Sequence, residues 1–267
     1  MASEISLAAL SLLRLPPPEV VRIAADVGFD SIGLRLVGVP GSVDHEMLGN
    51  SATRRATAAA LKQTGIRVLD VEIVRLMSDL EEQPPHDALL EAAAELGARY
   101  IDVITYDPDG GRAADSLAAL CDQARQAGLG CVLEFMSFTE AKTMAMAREI
   151  VDRAASPNAG ILVDVLHLFR TGGSTASLAG VPPELLPFAQ LCDARHADIE
   201  PDPVKARAEA VADREIPGCG RLPLRDVVGS LPPGIPLSVE VPHGGGRSPV
   251  EHARLLYSAA QALRDGV

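Results

Sequence analysis

Short apolar runs alternate along the chain with amphipathic stretches that mostly close on glycine. ISLAALSLL (5–13) reads as a strand. PPPEVVRIAADVG follows as a helix, with prolines at its front and Gly28 after its last turn. The same couplet recurs as SIGLRL (31–36) with a helix over 51–65, RVLDVEIVRL (67–76) with a helix over 86–97, and YIDVIT (100–105) with a helix over 114–128. CVLEFM (131–136) precedes a helix over 139–155 that Thr139 could cap, and GILVDVLHL (160–168) precedes a less regular helical stretch around 175–186. FAQLCDA (188–194) is the seventh strand, followed by a long connection and a short helix near 223–231. PLSVEV (236–241) is the eighth, and the last helix opens Ser248-Pro249-Val250-Glu251, an N-cap, a first-turn proline and a capping-box glutamate.

Strands that alternate with helices pair in parallel. Eight such units with no composition break predict an α/β fold, a (β/α)8 TIM barrel, in one domain over residues 1–267. A doubly wound open sheet is the rival, but no strand-following GxGxxG turn supports a dinucleotide site.

Composition narrows the function classes. Hydrophobic residues make up 47% and charged residues 22%, a globular balance. The 24 Lys+Arg against 36 Asp+Glu leave a net charge of −12, and no short window is rich in Lys or Arg. Nucleic-acid and anionic-membrane partners need a basic footprint, so neither is expected. No run reaches the ~18 apolar residues of a membrane span. The N-terminal apolar run follows Glu4 and lacks the basic start of a signal peptide, so a first core strand is the better reading. Four scattered cysteines without CxxC read as reduced thiols, which points to a cytoplasmic protein. A small-molecule substrate is the expected partner, with homo-oligomer formation left open.

In a barrel, chemistry belongs at the C-terminal strand ends. Four late strands carry polar residues there in apolar runs: Glu134 in VLEFM, Asp164 in ILVDVLH with His167 three residues on, Gln190 and Asp193 in FAQLCDA, and Glu240 in LSVEVP. One such carboxylate alone could simply face solvent. Three converging carboxylates repel each other unless a cation joins them, and hard oxygen donors favour Mn²⁺ or Mg²⁺.

This order of residues, with REIPGCGRLPL (214–224) before the last helix and strand, resembles the xylose isomerase-like TIM-barrel superfamily, the sugar phosphate isomerases/epimerases. The resemblance implies that Glu134, Asp164 and Glu240 bind one divalent metal. It also implies that Glu134 and Glu240 act as an acid/base pair, and that His167 and Arg214 contact substrate oxygens. Two positions depart from the pattern. Gln190 stands where the strand-seven ligand is usually His; its carbonyl can still ligate a hard cation and disfavours Zn²⁺ relative to Mn²⁺ or Mg²⁺. Cys219 stands where an acidic residue is common, and reads as filler.

Arg35 in GLRL and Arg75 in IVRL, with Glu72 nearby, could grip an anionic or carbonyl group of the substrate or form an internal ion pair. The glycines after His243 suggest a mobile loop that could offer a phosphate contact but reads more simply as a loop without a ligand, and His45, His86, His196 and His252 read as surface residues. The 37–50 and 195–215 connections are long enough to cover a pocket as lids. The expected activity is isomerisation or epimerisation of a small polyhydroxylated or keto compound, by Glu/Glu proton transfer through an enediolate. A lyase or dehydratase using the same groups, and a ligand-binding barrel without turnover, stay open. An abasic-site endonuclease would need further His ligands and a basic face, and both are missing.

Overall fold

The computed structural model describes residues 3–38, 43–49, 51–78 and 86–266. Eight parallel strands close a barrel in sequence order: β1 (Ile5–Leu7), β2 (Ser31–Arg35), β3 (Arg67–Leu76), β4 (Ala98–Thr105), β5 (Gly130–Glu134), β6 (Ala159–Asp164), β7 (Ala189–Leu191) and β8 (Leu237–Val239). The ring closes where Ile5 and Leu7 of β1 pair with Leu237 and Val239 of β8.

The helices are α1 (Pro17–Val27), α2 (Ala52–Thr64), α3 (His86–Glu95), α4 (Gly110–Gln126), α5 (Met144–Ala154), α6 (Val165–Arg170), α7 (Pro203–Ala212), α8 (Leu224–Ser230) and α9 (Pro249–Arg264). Local chemistry sets their ends. Gly28 closes α1 at φ 108°, a backbone state that costs a side chain-bearing residue. Ser248 and Glu251 form the reciprocal capping box that starts α9.

Parallel pairing keeps partnered residues on the same face of the sheet. One row of the barrel is therefore polar across five adjacent strands: Ser31 of β2, Ser6 of β1, Ser238 of β8, Gln190 of β7 and Asp164 of β6 stand in register. The alternate residues Ile5, Leu7, Leu191 and Val239 are fully buried in the main apolar cluster, where the strands pack on the helices.

Several boundaries differ from the sequence reading, each for a visible reason. The first strand ends at Leu7, because Ser11 donates to Val239 O and accepts from Val241 N, curling Ala9–Leu12 into a 3₁₀ turn against β8. The sixth strand ends at Asp164, whose carboxylate caps α6 by accepting from Leu166 and His167 N–H. Thr143, not Thr139, caps α5; the buried Thr139 hydroxyl serves Met136 O and Ala141 O. The 175–186 stretch resolves into two 3₁₀ turns, Thr175–Leu178 and Pro183–Leu185.

The 195–215 connection contains α7, which the Asp202-Pro203 start signals. His252 is buried against Val241 O rather than exposed, and His45 reaches Leu13 O. Part of the 37–50 connection, 39–42 and 50, lies outside the described residues.

Candidate active site

Glu134, Asp164 and Gln190 end or nearly end their strands, and Glu240 follows β8 directly, so the barrel delivers all four to its C-terminal mouth. A cavity of about 370 Å³ opens there, within the usual range for small-molecule sites. Arg35, Glu72, Glu134, His167, Arg214 and Glu240 line it. Asp164 and Gln190 sit beneath that lining, fully enclosed.

Arg214 is the central cation. Its Nη1 lies 2.5 Å from Asp164 Oδ2 and its Nη2 lies 2.7 Å from Glu240 Oε2. Its Nε donates to Ala210 O at 2.6 Å. The segment that carries it is fixed by Asp193, whose carboxylate accepts from Gly218, Gly220 and Leu222 N–H at 2.9–3.0 Å. A Cβ on Gly220 would meet Ala194 O and Asp193 Oδ1 at 2.3 Å, so the Pro-Gly-Cys-Gly turn can wrap Asp193 only with glycine there. Asp193 thus organises the turn and stays out of the cavity.

Burial dominates the titration of these groups. It raises the Glu134 carboxyl well above the carboxylate range, with Asp102, Asp164 and Glu240 adding like-charge repulsion. It pushes Glu240 up to about 8 even though Arg214 pulls the other way. For Asp164 burial also works upward, but Arg214, His167 and the capping N–H bonds outweigh it and hold this carboxyl below its ordinary value. His167 is lowered to about 4, so it is neutral at pH 7, with Nε2 3.8 Å from Glu134 Oε1.

Arg35 and Glu72 form an internal ion pair at 2.6 Å, and both side chains line the cavity. Three groups were not singled out in the sequence. Asp102 of β4 is buried in the cavity wall, where burial first and then the neighbouring carboxylates Glu72, Asp70 and Glu240 raise its carboxyl well above the ordinary value. Asp70 of β3 is wholly buried with neither carboxylate oxygen partnered among the described residues. The signal for both was present, a lone carboxylate in the apolar runs YIDVIT and RVLDVEIV. Arg170, enclosed on α6, holds Glu209 of α7 through two contacts of 2.6 and 2.7 Å and binds the carbonyls of His196 and Asp198. It clamps the long connection onto the barrel.

The donor set fits a divalent cation. Glu134, Asp164 and His167 offer ligand atoms within 4.8 Å of one another, a group that could hold a metal ion. The Gln190 carbonyl is buried and unpartnered among the described residues, while its amide faces Glu240 Oε1 at 3.4 Å. Glu240 stands outside the compact group, and its Oε2 pairs with Arg214.

These features define a parallel (β/α)8 barrel with a buried acidic mouth. The family model described as xylose isomerase-like TIM barrel matches residues 21–265, and the chain belongs to that family. No sequence match to a curated protein was found. Among solved structures, the fold is similar to a xylose isomerase-like TIM barrel/4-hydroxyphenylpyruvate dioxygenase fusion protein, with TM-score 0.81 and 19% identity. That match covers 98% of this chain and 43% of the fusion protein, so the chain spans less than half of its length. It is also similar to the zinc-bound IOLI protein, with TM-score 0.82, 17% identity and 98% of each chain covered. The 3-keto-D-glucoside 4-epimerase YcjR from E. coli shares the fold at TM-score 0.70 and 18% identity, over 98% of this chain and 99% of that one. Among the described residues, no helix is long and apolar enough to cross a membrane.

Proposed function

We propose that the chain is a divalent-metal-dependent isomerase or epimerase of a small polyhydroxylated keto compound. The observation that supports this reading is one cavity lined by Glu134, Glu240, Arg214 and His167, with Asp164 enclosed beneath it and paired to Arg214. Glu134, Asp164, Gln190 and Glu240 would hold the ion, and their oxygen donors suit Mn²⁺ or Mg²⁺ better than Zn²⁺. When bound, the ion supplies Lewis-acid polarisation of a substrate carbonyl.

The chain's own groups supply the rest. Glu134 and Glu240 are the exchange pair: one carboxylate takes the proton from the carbon beside the carbonyl, and the other carboxyl returns a proton. Neutral His167 and the fixed Arg214 guanidinium donate hydrogen bonds to substrate oxygens on which negative charge develops. The Arg35–Glu72 pair shapes the opposite wall.

Incubation of the Mn²⁺-loaded protein with a panel of keto-sugars in D₂O tests the reading. The expected result is deuterium at the carbon beside the carbonyl, with an isomer or epimer formed. A dehydrated product would replace isomerase by lyase, and no exchange with any member would overturn proton-transfer catalysis.

A further inference from the structure

We infer that the compound bound in this cavity carries a carboxylate, and that Arg75 and Arg207 receive it. The inference rests on the cavity being the substrate site, and it names the substrate's charge. Four arginines line this cavity, and two are already committed: Arg35 to Glu72, and Arg214 to Asp164 and Glu240. The side chains of Arg75 and Arg207 have no ion pair or hydrogen bond among the described residues.

Their placement makes that solitude informative. Arg75 is half-buried near the end of β3, in register with Ile104 of β4, so the barrel fixes its backbone. Arg207 stands on α7, which the Arg170–Glu209 clamp ties to α6. In a chain with 36 acidic residues against 24 basic ones, two guanidinium groups that line one cavity with no ion-pair partner among the described residues offer that place to a negative charge of the ligand.

The rest of the cavity orients such a ligand. The carboxyl groups of Glu72, Asp102, Glu134 and Glu240 line it too, and they suit a cation and the hydroxyl groups of a ligand. The unpaired guanidinium groups of Arg75 and Arg207 are left for the carboxylate. Ile73, Ile104, Tyr106 and Phe138 form an apolar wall, which suits the C–H face of a compact hydroxylated keto acid. Guanidinium forks match a planar carboxylate with two parallel hydrogen bonds.

Equilibrium binding to the Mn²⁺-loaded protein tests this with 5-keto-D-gluconate, with L-sorbose, which carries an alcohol in place of that carboxylate, and with D-fructose 6-phosphate. The acid is expected to bind at least about tenfold tighter than L-sorbose, the range of a charge-assisted pair. That preference should fall in Arg75→Met and Arg207→Met, vanish in the double variant, and partly survive in Arg75→Lys. Equal binding of acid and ketose, no binding of the acid at millimolar concentration, or a preference untouched by the double variant would overturn the inference. Tighter binding of the phosphate ester than of the acid would overturn the carboxylate assignment. The wild-type comparison stands even if a variant fails to fold. An acid preference without deuterium exchange would sink the isomerase reading alone, and exchange without acid preference would sink this inference alone.

Discussion

Arg214 and Asp164 form an enclosed ion pair, Nη1 to Oδ2 at 2.5 Å, in which the same guanidinium also grips Glu240. The pair sets a permanent positive charge against two of the carboxylates proposed to hold the ion. Cation and guanidinium thus share the same partners.

Removing this guanidinium leaves buried carboxylates uncompensated, a change that typically costs about 3–5 kcal/mol. Arg214→Met should therefore lower the Tm of the metal-free protein by several degrees. Mn²⁺ should restore more of the loss than it adds to the wild type, because the ion then supplies the missing charge. Thermal unfolding with and without Mn²⁺ checks this, and an equal Mn²⁺ shift in both proteins would contradict it.

Glu134→Gln and Glu240→Gln keep side-chain volume and remove the exchangeable proton. Each should reduce turnover by at least about a hundredfold while the circular dichroism spectrum stays unchanged. A wild-type-like rate in either purified variant would remove that residue from the exchange pair.

Stability should also depend on pH through Glu240. An unfolded glutamate titrates near 4.3, whereas burial pushes this one up to about 8. Between those values the folded chain holds more protons than the unfolded chain, so stability falls as pH rises. His167 acts in the opposite sense: lowered to about 4 by burial, its contribution is lost as pH falls from about 6.5 towards 4. The window from about pH 6.5 to 8 therefore isolates the carboxyls. Metal-free protein should lose Tm across it, and Glu240→Gln should lose less; matching slopes would refute the assignment.

Asp193 holds three N–H groups of the turn that follows Arg214. Asp193→Ala should cost about 3 kcal/mol or more by urea unfolding, since the buried donors lose a charged acceptor. Gly220→Ala should be comparably harmful, because backbone rather than a flexible side chain stands 2.3 Å from the new carbon. A stability change under about 0.5 kcal/mol in both would show that the turn does not depend on this wrapping.

The barrel was legible because its eight apolar runs and glycine-closed helices repeat one local rule. The mouth residues were legible because a carboxylate in VLEFM, ILVDV or LSVEV contradicts its neighbours. Asp70 and Asp102 obey the same rule, but no motif around them marks them. The ends of β1 and β6 were set by nonlocal or capping bonds of Ser11 and Asp164, which apolar periodicity does not encode. Arg170 was invisible because its partners Glu209, His196 and Asp198 are distant in sequence.

The polar row from Ser31 to Asp164 also decides where the barrel draws its strength. The hydroxyls of Ser6, Ser31 and Ser238 and the Gln190 carbonyl are buried without partners among the described residues, so this side of the lining adds little cohesion. The cohesion lies in the seam between strands and helices, where Ile5, Leu7 and Val239 are fully enclosed. Leu7→Ala should thus cost about 2–5 kcal/mol, while Ser6→Ala next door should be neutral or stabilising. The molecule is a sleeve fastened mainly from outside, which leaves the serine side of its bore free to change chemistry without loosening the wall.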